Sequence, residues 1–164
     1  MNTIINSWNY YRESFQGLSR EIWWLSLATF INRAGGMVVP FLSLYLTAKL
    51  GFTLIEVGWI MTCFGVGAFV GSWLGGQLTD KIGFYKVMIL SLVISGLLFF
   101  WISTLQDLWW ICGGVFLVTM VSDAFRPAAY VAAGSYSSEK NYTRAITLIR
   151  LAINLGFSLG PAAG

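Results

Sequence analysis

Apolar residues in this chain come in long runs rather than in alternation, and short connectors between the runs hold most of the charge. Five runs approach the ~20 residues that a helix needs to cross the hydrocarbon of a bilayer: 22–46, 54–78, 87–105, 108–134 and 143–164. The pattern predicts an all-α membrane protein with five transmembrane helices. Thr53 with Glu56 three residues on, just before the second run, is a capping-box signal for a helix start. The third run carries no charge and is the most uniformly apolar, which predicts a helix facing lipid. Residues 1–20 are not a span. Ile4, Trp8, Tyr11, Phe15 and Leu18 recur at helical spacing with Asn9, Arg12, Glu13 and Gln16 off the stripe, so an amphipathic helix on the membrane surface is expected there. The domain division is therefore a surface segment, 1–20, and a transmembrane bundle, 21–164.

Composition sharpens the class. Charged residues make up 10% of the chain, against about 25% in a soluble domain, which leaves too little polar surface to face water. The basic residues are scattered singly, so no nucleic-acid partner is expected. Histidine is absent, and Cys63 and Cys112 each stand alone in an apolar run. That excludes the usual zinc spacings and a Cys–His nucleophile. No enzyme activity, metal or cofactor is expected, and both cysteines read as small core-fillers. The polar first twenty residues, with no small-residue cleavage site after the first run, give no secretory signal.

Orientation follows from the connectors. Arg12 and Arg20 precede run one, Lys81 and Lys86 lie between runs two and three, and Lys140 and Arg144 lie between four and five. The opposite side has Lys49. Basic residues favour the cytoplasm, which places the N-terminus and these connectors there. The expected setting is a cell membrane, of the bacterial inner-membrane type, crossed several times. Aromatic belts agree, with Trp23, Trp24, Tyr85 and Tyr142 at one boundary and Tyr45, Trp101, Trp109 and Trp110 at the other.

Arg33, Asp123, Arg126 and Arg150 fall well inside the runs. A charge at a helix centre costs at least ~2.5–3.5 kcal/mol, so such residues normally face a bundle interior or a water-filled cavity. Asp123 and Arg126 are spaced to share a helix face, with Tyr130 one turn on; Thr147, Arg150 and Asn154 share another. Asn32 lies beside Arg33. The set Asn32, Arg33, Asp123, Arg126, Arg150 and Asn154 is the expected pathway for substrate or proton. Asp123 is the acidic residue inside a span, hence the group for carrying a proton. The arginine surplus calls for an anionic solute or for acidic residues supplied elsewhere. An ion-pair network that merely fixes helix packing is the bland alternative.

Helix breakers and small residues complete the picture. Gly67, Gly71 and Gly75 recur every four residues in run two, a ridge on which another helix can pack closely. Gly35, Gly36 and Pro40 loosen run one, marking it as a moving or cavity-lining element. Run five ends GFSLGPAAG, where Gly156, Gly160 and Gly164 form a ridge well around the helix from Arg150 and Asn154.

The stretch GGQLTDKIGFYK resembles the signature between the second and third helices of the major facilitator superfamily, roughly G-x-L-x-D-[RK]-x-G-[RK]-[RK]. Gly76, Leu78, Asp80, Lys81 and Gly83 match in order and spacing; Phe84 and Tyr85 stand where basic residues are usual, and Lys86 follows one place later. GFSLGPAAG resembles the family's fifth-helix signature G-x-x-x-G-P-x-x-G, associated with antiporters, through Gly156, Gly160, Pro161 and Gly164. The fourth-helix arginine signature is missing near Val115, and SDAFRPAAY, with Asp123, Arg126 and Pro127, stands as a substitute. The resemblance implies a twelve-helix transporter built as two six-helix halves around a cavity, of which this chain supplies five helices and lacks the C-terminal half. It implies alternating-access transport of a small solute across the bilayer, driven by a proton gradient rather than a cofactor. Proton antiport of the efflux type is the preferred coupling. The alternatives are symport of an anionic or peptide-like solute, and a non-transporting membrane subunit. In this frame Gly76, Asp80, Lys81, Gly83 and Lys86 form a cytoplasmic gate. Inverted repeats show faintly, runs one and four each holding an arginine and a proline.

Overall fold

The structure, a computed structural model, describes residues 17–36 and 38–163. All regular structure among them is helical: α1 (Arg20–Gly35), α2 (Val38–Ala48), α3 (Leu54–Ile82), α4 (Phe84–Ile102), α5 (Leu108–Asp123), α6 (Phe125–Tyr136) and α7 (Tyr142–Ala163). The all-α membrane class expected from the hydrophobic runs holds. Three stretches among the described residues are long and apolar enough to cross a membrane: Leu54–Ile82, Phe84–Ile102 and Leu108–Tyr136. The expected surface helix falls almost entirely outside the described residues.

Two of the five expected spans are not single helices. The first divides into α1 and α2, and the fourth into α5 and α6 at Ala124. The cause is the same backbone rule. Proline has no N–H to give the carbonyl four residues earlier, and its ring crowds that carbonyl. Pro127 withdraws the bond from Asp123, where α5 ends; Pro40 withdraws it from Gly36, a turn residue just past α1. The fifth span, α7, has the length but is less apolar, because Arg144, Thr147, Arg150 and Asn154 interrupt it.

Contacts group the chain into two compact units: residues up to Gly35 with Ala132 onward, and Gly36–Val131. In the second unit, α3 packs on α5 along the glycine ridge. A Cβ at Gly67 would strike the Thr119 side chain and the Phe116 carbonyl, one at Gly71 the Met120 carbonyl, and one at Gly75 would lie 2.5 Å from the Ala124 Cα. Successive turns of α3 thus meet successive turns of α5, so the two helices run parallel and α4 brings the chain back between them. Close packing is the role expected of Gly67 and Gly71, and Gly75 shares it. At one end of the seam Leu46, Val57, Ile60, Ile111, Cys112 and Val115 form an apolar core.

The elements begin and end for local reasons. Thr53 caps α3: its backbone N–H donates to Glu56 Oε2 at 2.8 Å, and the Glu56 N–H donates to Thr53 Oγ1 at 3.4 Å. This is the expected reciprocal box. Between α3 and α4 a single residue, Gly83, ends one helix and starts the next. Its φ of 86° suits glycine, and its N–H donates to the Thr79 carbonyl at 3.0 Å. Helix α4 buries a narrow line, Val87, Ser91 and Ser95, and leaves Leu90, Val93, Ile94, Leu97 and Phe100 exposed. An apolar surface of that kind belongs against lipid, as expected for the third run. All the belt aromatics, from Trp23 and Trp24 to Trp109 and Trp110, are exposed as well.

In the first unit α1 buries Ile22, Leu25, Ser26, Thr29 and Asn32 on one stripe, and α7 buries Ala145, Leu148, Ile149 and Ala152 on another. The chain leading into α1 is tied to the connector before α7. Ser19 Oγ donates to the Tyr136 carbonyl at 3.1 Å, and Asn141 Nδ2 donates to the Gly17 carbonyl at 3.0 Å. Both helices therefore start from the same end and run parallel. Four buried hydroxyls are satisfied within their own helices: Ser26 on the Ile22 carbonyl, Thr29 on Leu25, Thr79 on Gly75, Thr119 on Val115. In hydrocarbon, where no water competes, that back-bonding is how a polar side chain avoids an unmet donor.

Candidate transport site

In the second unit the break in the fourth span carries the charge. Arg126 Nη2 donates to Asp123 Oδ1 at 3.1 Å. The pairing spans the break: Asp123 is the last residue of α5 and Arg126 lies in the first turn of α6. The Asp123 side chain is 11% exposed and that of Arg126 51%, so the carboxylate is held inward while the guanidinium reaches out. Tyr130, one turn further, is also exposed. Of the three residues expected on one face, Asp123 and Arg126 are in contact, and they meet across the helix break rather than along a straight stripe.

The first unit holds the remaining charged candidates. Arg33 lies on the seam between α1 and α7. A Cβ on Gly156 would sit 2.9 Å from Arg33 Cβ and 3.0 Å from the Phe30 carbonyl, and the Arg33 Cζ stands 6.0 Å from the centre of the Phe157 ring. Asn32 is buried beside it. Arg150 and Asn154 occupy the opposite, exposed face of α7, together with Thr147, whose hydroxyl donates to the Thr143 carbonyl at 2.8 Å. Gly156 and the polar face of α7 are thus separate. Phe157 is the member sequence reasoning missed. Its signal was present, since a large aromatic directly follows the motif glycine, but the cation partner lies on another helix.

The gate motif stands at the α3–α4 turn. Asp80, Lys81 and Lys86 are exposed, and the Asp80 side chain makes no hydrogen bond or ion pair among the described residues. Gly76 has open space where a Cβ would point, so packing does not require glycine there. Of the fifth-helix motif, Gly156 packs on α1, Gly160 and Pro161 lie in α7, and Gly164 is outside the described residues. No metal-binding cluster occurs among the described residues.

The family model of the Major Facilitator Superfamily matches residues 25–164, and the chain belongs to that family. It is 28% identical over 148 residues to the uncharacterized MFS-type transporter YqjV of Bacillus subtilis, covering 87% of this chain and 35% of that protein. The uncharacterized MFS-type transporter YttB of the same organism is 30% identical over 151 residues, with 85% of this chain and 35% of YttB covered. A third, YceJ, is 28% identical over 120 residues, covering 73% and 30%. The chain thus spans about a third of the length of these relatives. No solved structure matches.

Proposed function

We propose that this chain is part of a secondary active transporter that moves a small solute by alternating access, coupled to protons as an efflux-type antiporter. The observation that carries the reading is the Asp123–Arg126 pair at the break of a long apolar helix. A carboxylate at that depth is costly unless it is partnered or neutral, so exchanging Arg126 for a proton is a natural two-state step. Arg33, Asn32, Arg150 and Asn154 line the solute or proton path, the Gly156–Gly160–Pro161–Gly164 motif supports antiport, and the Asp80 motif closes the cytoplasmic side against a C-terminal half. The N-terminus lies in the cytoplasm and the membrane is the inner membrane of a bacterium.

A second reading is symport of an anionic or peptide-like solute. The exposed Arg150 with Asn154 one turn on favours it, because an accessible guanidinium in an apolar setting attracts a carboxylate or phosphate. Reconstitution of the transporter into vesicles decides between the two. Under antiport, an outward solute gradient draws protons in the opposite direction; under symport, solute and proton move together. No pH change with any solute flux overturns proton coupling.

A further inference from the structure

The seam between α3 and α5 has a constant register. Gly67 meets Phe116, Gly71 meets Met120 and Gly75 meets Ala124, each pair one helical turn beyond the last. One turn back along both helices, the residues are Cys63 and Cys112. Neither forms a disulfide, and Cys63 packs on the apolar core that contains Cys112. Neither residue belongs to the proposed solute path or the gate. Read singly, each cysteine is a core-filler; the register makes them a pair.

We propose that Cys63 and Cys112 form a dithiol site that binds a trivalent organoarsenical as a bridge between α3 and α5. Thiolates prefer soft centres, and two facing thiols bind trivalent arsenic where one does not hold it. In the reaction two S–H bonds and the arsenic–oxygen bond break, two As–S bonds form, and the oxygen leaves as water. Arsenic stays trivalent, so no oxidant is needed. The adduct is neutral, which suits the apolar core that Leu46, Ile60, Ile111 and Val115 form around Cys112. Charged reagents are excluded by the same core.

The test uses phenylarsine oxide on the protein in membrane vesicles, with an excess of glutathione to strip arsenic held by one sulfur. Free thiols are then counted by maleimide alkylation after denaturation, alongside intact mass. The expected result is loss of both reactive thiols, a mass gain of one phenylarsenic bridge, and full recovery with dimercaprol. Cys63→Ser and Cys112→Ser should each keep their remaining thiol reactive under the same conditions. Full alkylation of the parent in the presence of the reagent overturns the proposal, as does equal protection in either single variant. The parent measurement alone decides the matter if a variant folds poorly.

Discussion

Pro127 follows Asp123 by four residues, and the helix breaks between them. Proline there removes the hydrogen bond that the Asp123 carbonyl would accept, and Arg126 closes onto the Asp123 carboxylate across the gap. Pro127→Ala restores the donor and continues the helix. The variant should be more thermostable, by up to ~3 kcal/mol, and slower in transport by about tenfold or more, equivalent to about 1.4 kcal/mol of barrier. Thermal unfolding and vesicle uptake measure the two effects; a straightened helix with unchanged turnover would show that the break has no part in the cycle.

Asp123→Asn keeps the shape and the hydrogen bond to Arg126 but cannot exchange a proton. Solute should still bind, with its affinity no longer dependent on pH, while solute-driven proton movement is lost. Binding titrated across pH and a pH-indicating dye in vesicles separate the two. Proton movement at the parent rate in this variant would remove Asp123 from the pathway.

The glycines of α3 divide into two kinds. Gly71→Ala drives a Cβ into the Met120 carbonyl, and overpacking of this sort costs about 1–3 kcal/mol. Gly76→Ala meets open space and should leave stability unchanged or raise it by up to about 1 kcal/mol, glycine being the poorer helix former. A pair of melting curves in detergent checks the contrast. If Gly76→Ala melts normally but transports poorly, its glycine serves the gate rather than the packing of this half.

Asp80 sits at the C-terminal end of α3, where the helix already presents partial negative charge, and among the described residues nothing positive meets it. Asp80→Asn should leave the melting temperature alone and raise cytoplasmic accessibility of the cavity. Alkylation rates at a cysteine introduced into that cavity, in a background lacking Cys63 and Cys112, report it. Equal rates in variant and parent would count against a gate.

The helical runs and the capping box were legible because each depends on local pattern. Thr53–Glu56 follows from adjacent residues, and Gly67, Gly71 and Gly75 announce close packing by spacing alone. The partner of that ridge was not legible, since Phe116, Met120 and Ala124 offer carbonyls and a small side chain rather than a matching motif. The helix ends at Gly36 and Asp123 could have been placed by counting four residues back from Pro40 and Pro127; run length alone hides them. Arg33 beside Phe157 depends on which face α1 turns to α7, and intramembrane hydropathy does not encode that. The facing of Cys63 and Cys112 needed the register of the whole seam.

The seam itself constrains how such a molecule can move. Where backbone meets backbone, as at Gly71 and Met120, there are no rotamers to re-sort and no space to slide a fraction of a turn. Helices α3 and α5 therefore behave as one welded beam. The weld reaches Ala124, and there the fourth span is already interrupted. In the alternating-access cycle proposed above, bending of this unit then falls at the interruption beside Asp123, so the place that bends is the place next to the charge.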